Sequence, residues 1–192
     1  MRRIHLALAG LACAAAVSSA PVAAYEIDPI TREPIIPYYG TSYRAQSAAA
    51  YRQVVPFRAG APGTVVISTA QRRLYYVLGN GQAISYGIGV GRPGFQWAGT
   101  KTITMKREWP DWTPPKQMLK RRPDLPRHMR GGINNPLGAR AMYLGGSLFR
   151  IHGSNEPETI GYAVSSGCIR MTNADVVDLY SRVRVGTRVV VR

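Results

Sequence analysis

The chain is 192 residues long, 45% hydrophobic and 18% charged, with a formal net charge of +15. That length and apolar content suit one domain with a substantial core, and two cysteines are too few for a disulfide framework. So basic a balance speaks to non-specific partners and encounter rates rather than to fold.

At the start, Met1-Arg2-Arg3-Ile4-His5 is a short basic segment, Leu6 to Val17 is a small-apolar run, and Val22-Ala23-Ala24 is a small-residue cleavage site. The pattern predicts a secretory signal peptide over residues 1–24, cut before Tyr25. The apolar run is shorter than the roughly 20 residues of a membrane span, and no later run is long enough, so no transmembrane span is expected. His5 and Cys13 would leave with this leader, and the loss of Arg2 and Arg3 lowers the charge from +15 to +13. The expected location is the periplasm or cell envelope. Export argues against a nucleic-acid partner and for an anionic envelope surface, although twenty-one arginines beside four lysines equally fit the amino-acid usage of a GC-rich genome.

Residues 25–60 carry Pro29, Pro34, Pro37 and Pro56 with five tyrosines and no sustained apolar period, which reads as an extended linker or a segment lying on the domain surface. The domain proper is expected over residues 61–192. Thr64 to Ser68, Arg73 to Leu78 and Gln82 to Val90 are β-branched or alternating runs. Asn80-Gly81 tolerates positive φ at both central positions of a two-residue hairpin turn. Thr100 to Met105 resumes the alternation.

Between Glu108 and Gly138 lie six prolines, Trp109, Trp112 and a run of basic residues. So long a loop in a compact domain is usually a lid or binding loop, while the same composition also marks a partly disordered insertion. Ala139 to Leu144 and Ser147 to Ile151 are two more strands turning at Gly145-Gly146, which puts His152 at a strand end. Thr172-Asn173-Ala174-Asp175 has the form of a capping box, and Val176, Leu179, Tyr180 and Val183 follow with helical spacing. Thr187 to Val191 closes the chain with a strand. The fold class is mainly β and mainly antiparallel, with one or two helices.

The chemistry concentrates in residues 151–171. Cys168 stands alone once Cys13 is removed, set in Ser165-Ser166-Gly167-Cys168, with His152 sixteen residues before it. A thiol with a pKa of about 8.5 is mostly protonated at neutral pH, and a neighbouring imidazole can take its proton and hold the two as an ion pair. His128 is the other histidine of the mature chain and lies in the proline-rich stretch. The serine-glycine turn can converge backbone N–H groups on an oxyanion, Gly167 permits close approach, and a capped helix beginning just after Cys168 places a positive dipole end nearby. A buried apolar role for Cys168 is the plain alternative. No metal or other cofactor is expected, since the histidines and the cysteine lack a ligand-spaced acidic partner set.

These residues resemble the signature of the L,D-transpeptidase catalytic domain family, the YkuD type: apolar-His-Gly at 151–153, Ser-Gly-Cys-Ile-Arg-Met at 166–171, and Asn173, Asp175, Leu179 and Tyr180 in the following helix. Gly87 to Gly94, Glu108 to Pro115 and Asn135 to Leu144 extend the likeness to about residue 63 onward. The resemblance implies a β-rich, sandwich- or barrel-like catalytic fold and acyl transfer on peptidoglycan stem peptides. Cys168 matches the nucleophile and His152 its base. The Gly153 carbonyl matches the group that orients the base, and the backbone N–H groups of Ser166, Gly167 and Cys168 match the oxyanion hole. Arg170 matches a substrate-side position where a guanidinium could pair with a stem carboxylate, a structural role being nearly as good a reading. The acceptor would be the amine of a second stem, giving a 3→3 cross-link, or an amine on an envelope protein. Water as acceptor would make the protein an L,D-carboxypeptidase. Two departures stand out: Ser166 where many members carry histidine, and Gln96-Trp97-Ala98-Gly99-Thr100 in place of Thr-Pro-x-Gly-Thr. A reading of a different class is a non-catalytic wall-binding protein held by its charge and the Trp109/Trp112 loop.

Overall fold

In the computed structural model residues 52–192 are described, together with two short antiparallel strands, Glu26–Ile27 (β1) and Pro34–Ile35 (β2). The expected signal peptide over 1–24 lies outside the described residues, as does most of the expected linker. The linker's last part is ordered: Gln53–Pro56 (β3) pairs antiparallel with Gln82–Gly87 (β6) and forms an edge of the main sheet.

The domain is built on Val65–Ser68 (β4), Arg73–Gly79 (β5), Val90–Gly91 (β7), Gly99–Glu108 (β8), Arg140–Leu144 (β9), Arg150–His152 (β10), Ala163–Ser165 (β11), Ile169–Arg170 (β12) and Arg188–Val191 (β13). Nine strands form one sheet in the order β12-β10-β9-β8-β13-β4-β5-β6-β3, and β11 pairs with β7 beside it. Most pairs are antiparallel, but β13–β4, β10–β12 and β11–β7 are parallel. The sheet is therefore mainly antiparallel, as expected, with parallel pairs that make it mixed. Parallel neighbours are made by long crossovers, which leave no local mark in a sequence.

The strand runs fold as their composition dictates. β4 is buried at all four residues, as expected of a continuous β-branched run covered on both faces. Asn80 (φ 51°) and Gly81 (φ 73°) both take positive φ in the β5–β6 turn. Helix α2, Asn173–Arg182, starts where Thr172 Oγ1 accepts the Asp175 N–H at 3.1 Å. Its buried Val176 and Leu179 join Val183, Ile103, Met142, Ile151, Ile169 and Met171 in one core cluster. At about 1.5–3 kcal/mol for each fully buried aliphatic side chain, this cluster is what holds the strands bearing the candidate site.

Residues 108–138 are ordered. They contain a short helix, Lys116–Arg121 (α1), and a bridge pairing Trp112 with Met129. Asn135, buried, donates from Nδ2 to the carbonyls of Pro110, Met129 and Arg130, while its Oδ1 accepts the Leu137 N–H at 2.9 Å. His128 bridges Asp111 at 3.5 Å and Thr113 at 3.3 Å within the same segment.

Candidate active site

β10 carries the first half of the site. Alternation along it sends Ile151 into the core and turns Arg150 and His152 to the other side. β12 runs parallel, with Ile151 level with Ile169 and His152 level with Arg170. Cys168, one residue before Ile169, therefore stands level with Arg150. Arg150, His152, Cys168 and Arg170 all line one cleft of about 930 Å³, whose opposite wall comes from the proline-rich segment through Trp112, Met118, Arg121 and Met129.

His152 is buried, and its Nδ1 lies 2.6 Å from the Gly153 carbonyl. A carbonyl can only accept, so the proton sits on Nδ1 and Nε2 keeps its lone pair. Gly153 fits because a Cβ there would collide with Asn173 Oδ1, which accepts the Ala139 N–H at 2.9 Å. Burial pushes the imidazole down to about 3, and the nearby charges of Arg170 and Arg150 act the same way.

Cys168 is half-buried, free of any disulfide, and its Sγ–H points at the Leu148 carbonyl at 3.8 Å. Burial pushes the thiol up, against the downward pull of Arg150 and Arg170. Burial thus acts against both charged members of the ion pair expected from the sequence. The first turn of α2 carries Asp175, and its N-terminus is capped by Thr172.

The turn before the thiol is tightly held. Gly167 has φ +105°, and a Cβ there would come within 2.5 Å of the Phe149 ring. Its carbonyl accepts Trp97 Nε1–H at 2.8 Å, and Trp97 stacks on Phe149 with centroids 4.6 Å apart. The Gly167 N–H donates to Ser165 Oγ at 3.1 Å, so of the three N–H groups expected to form an oxyanion hole, that one already has an intramolecular acceptor. Ser165 Oγ in turn donates to the Cys168 carbonyl at 2.6 Å. The Ser166 hydroxyl accepts from Arg92 at 3.2 Å.

Arg170 lies in the cleft wall, but its guanidinium is engaged with Glu156 at 2.9 Å and Thr159 at 3.2 Å. Sequence reasoning missed Arg150, Arg92 and the role of Trp97. Arg150 carried a usable signal, since a residue two before His152 on a strand must share its face. Trp97 carried none, because its partner is 70 residues away. Among the described residues there is no group of three or more His, Cys, Asp or Glu placed to hold a metal ion.

The L,D-transpeptidase catalytic domain family (YkuD) has a model that matches residues 62–191. A probable L,D-transpeptidase ErfK/SrfK of Escherichia coli is 38% identical over 134 residues, which cover 65% of this chain and 42% of that protein. The chain spans about two fifths of the length of such curated relatives. A crystal structure of a probable carnitine operon oxidoreductase from Brucella melitensis is 48% identical, covers 71% of this chain and 90% of that one, and superposes with a TM-score of 0.50. An L,D-transpeptidase from Mycobacterium smegmatis, 18% identical, covers 67% of this chain and 58% of its own and shares the fold with a TM-score of 0.54.

Proposed function

The chain belongs to the L,D-transpeptidase catalytic domain family, and from that premise we propose that it is an exported enzyme of the cell envelope that transfers acyl groups between peptidoglycan stem peptides through Cys168. The observation that carries this reading is the fixed tautomer of His152. With Nδ1 committed to Gly153, Nε2 is a base on the same cleft as the thiol.

In the first half-reaction Nε2 accepts the Sγ–H proton as the sulfur attacks the carbonyl of the L-centre of the third residue of a donor tetrapeptide. The new C–S bond pushes an electron pair onto oxygen. The N–H groups of Ser166 and Cys168 stabilise that oxyanion, and the Gly167 N–H joins them if it leaves Ser165 Oγ. Collapse breaks the C–N bond, His152 returns its proton to the departing amine of the terminal D-alanine, and a thioester remains. In the second half-reaction His152 deprotonates the side-chain amine of an acceptor stem, the amine displaces sulfur, and a 3→3 cross-link forms. An amine on an envelope protein would be consumed in the same way. Water would give the L,D-carboxypeptidase product. The cationic cleft favours carboxylate-bearing stems, and Arg170 contributes to that field while its own guanidinium is held by Glu156. Nothing among the described residues favours the oxidoreductase activity in the name of the Brucella melitensis structure.

Purified protein incubated with tetrapeptide muropeptides should show a mass increase on Cys168 and release D-alanine, with 3→3 dimers appearing when acceptor is present. C168A should show none of these. Dimers formed by C168A would sink the proposal, and tripeptide monomer alone, with acceptor in excess, would replace transfer by hydrolysis.

A further inference from the structure

Arg150 stands level with Cys168 across the parallel β10–β12 pair, on the same cleft as the sulfur. Its guanidinium is held on two sides. Nη1 donates to the Leu148 carbonyl at 3.2 Å, and the group lies over the Tyr143 ring, 5.1 Å from its centroid. Nε is buried and has no hydrogen-bond partner. A buried guanidinium N–H without an acceptor is costly, so it is rare unless something else uses it.

The Leu148 carbonyl connects the two side chains, because it accepts both from Arg150 Nη1 and from the Cys168 thiol. The latter bond exists only while the sulfur carries its proton. Once His152 removes that proton, the sulfur loses its donor role and becomes an acceptor facing a carbonyl oxygen, an unfavourable contact. A thiolate then needs a new donor, and Arg150 Nε–H is a buried side-chain donor beside this arrangement that has no partner. The guanidinium and the backbone N–H of Arg150 both already bear on the sulfur and favour its anionic form.

We propose that Arg150 is a catalytic residue for Cys168: its idle Nε–H takes up the sulfur when the thiol proton leaves, so that arginine rather than imidazolium charge stabilises the attacking thiolate. The step is a proton transfer from Sγ to His152 Nε2, with the Sγ–H···O=C bond to Leu148 exchanged for N–H···S from Arg150. The other groups facing the sulfur are His152 from β10 and Arg170 from β12, the latter offset by Glu156; Arg92 lies one residue further off, on Ser166. Among the described residues of this cleft, Arg150 carries the buried side-chain N–H that has no partner. This inference rests on the reading of Cys168 as the nucleophile but not on which acceptor it serves.

The test is the pH dependence of Cys168 alkylation by iodoacetamide, followed by mass spectrometry of the peptide containing that cysteine, in the full chain and in R150Q and R150K. Only the thiolate reacts, so the midpoint reads the sulfur's own ionisation and needs no peptidoglycan substrate. R150Q, which removes the charge, should move the midpoint up by about one pH unit, an alkylation rate about tenfold lower at neutral pH. R150K keeps a charge but loses the planar fork, and should fall between the two. Circular dichroism and the melting temperature verify that each variant is folded. A profile for folded R150Q that superimposes on that of the parent overturns the proposal. Should R150Q not fold, superposition of R150K does so. Failure of the parent protein to acylate on stem peptides would instead count against the proposed function and leave this comparison intact.

Discussion

His152 Nδ1 lies 2.6 Å from the carbonyl oxygen of Gly153, its neighbour in the chain. A peptide carbonyl, not a carboxylate, orients this imidazole, and that choice has an electrostatic result. No negative charge sits beside the ring to support an imidazolium, and two arginines oppose it. H152Q should therefore lower the rate of stem-peptide acylation by roughly 10²–10⁴-fold, the usual share of a positioned base. Mass spectrometry of the acyl-enzyme over time measures this.

The same burial sets a pH dependence of stability. The imidazole is held down to about 3 in the folded protein against 6.5 for the free side chain. Between those values the unfolded chain binds a proton that the folded chain refuses, so His152's contribution is fully present above pH 6.5 and is lost as pH falls through the window. The slope is about 1.4 kcal/mol per pH unit for one such group. Urea midpoints measured from pH 7 to pH 4 should fall less steeply for H152Q than for the parent chain.

Gly167 combines a φ of +105° with a ring edge where a Cβ would go. G167A should cost about 1–3 kcal/mol, the range for a non-glycine residue held in such a conformation, and should reduce acylation by more than the stability loss explains, because the turn it distorts ends at Cys168, the proposed nucleophile. Thermal melts and acylation rates on the same preparation separate the two effects.

Trp97 holds the Gly167 carbonyl through its indole N–H while its ring rests on Phe149. W97F keeps an aromatic ring against Phe149 and removes the hydrogen bond. Stability should drop by about 1 kcal/mol, while the acylation rate falls through looser positioning of Cys168. An unchanged rate would show that the turn is held without this bond.

Asn135 fastens three carbonyls of the proline-rich wall of the cleft. N135A should cost at least about 1–3 kcal/mol, since buried acceptors lose their donor. Limited proteolysis should then cut within 109–134, and KM for the donor stem should rise more than kcat falls.

Strands β4 to β6 were legible because β-branched runs and Asn80-Gly81 are local signals, and α2 because Thr172 caps it in the expected way. The parallel partnership of β13 with β4 was not, since it joins residues more than 120 positions apart. Helix α1 escaped because six residues flanked by prolines carry too little propensity to register. At the site, the spacing of His152 and Cys168 sufficed to nominate both, and the structure puts them on one cleft. The commitment of the Gly167 N–H to Ser165 had a local cue, as a serine two residues ahead commonly closes such a turn. The opposing effect of burial on the thiol and the imidazole had none, because only the assembled core sets that burial.

Strand β13 joins two halves of the sheet, β4-β5-β6-β3 on one side and β8-β9-β10-β12 on the other. Its residues bond to β4 along one edge and to β8 along the other. The half that carries His152 and Cys168 is therefore laced to the hairpin half through the two edges of a single four-residue strand, and a break in that strand would uncouple the cleft from the rest of the ladder.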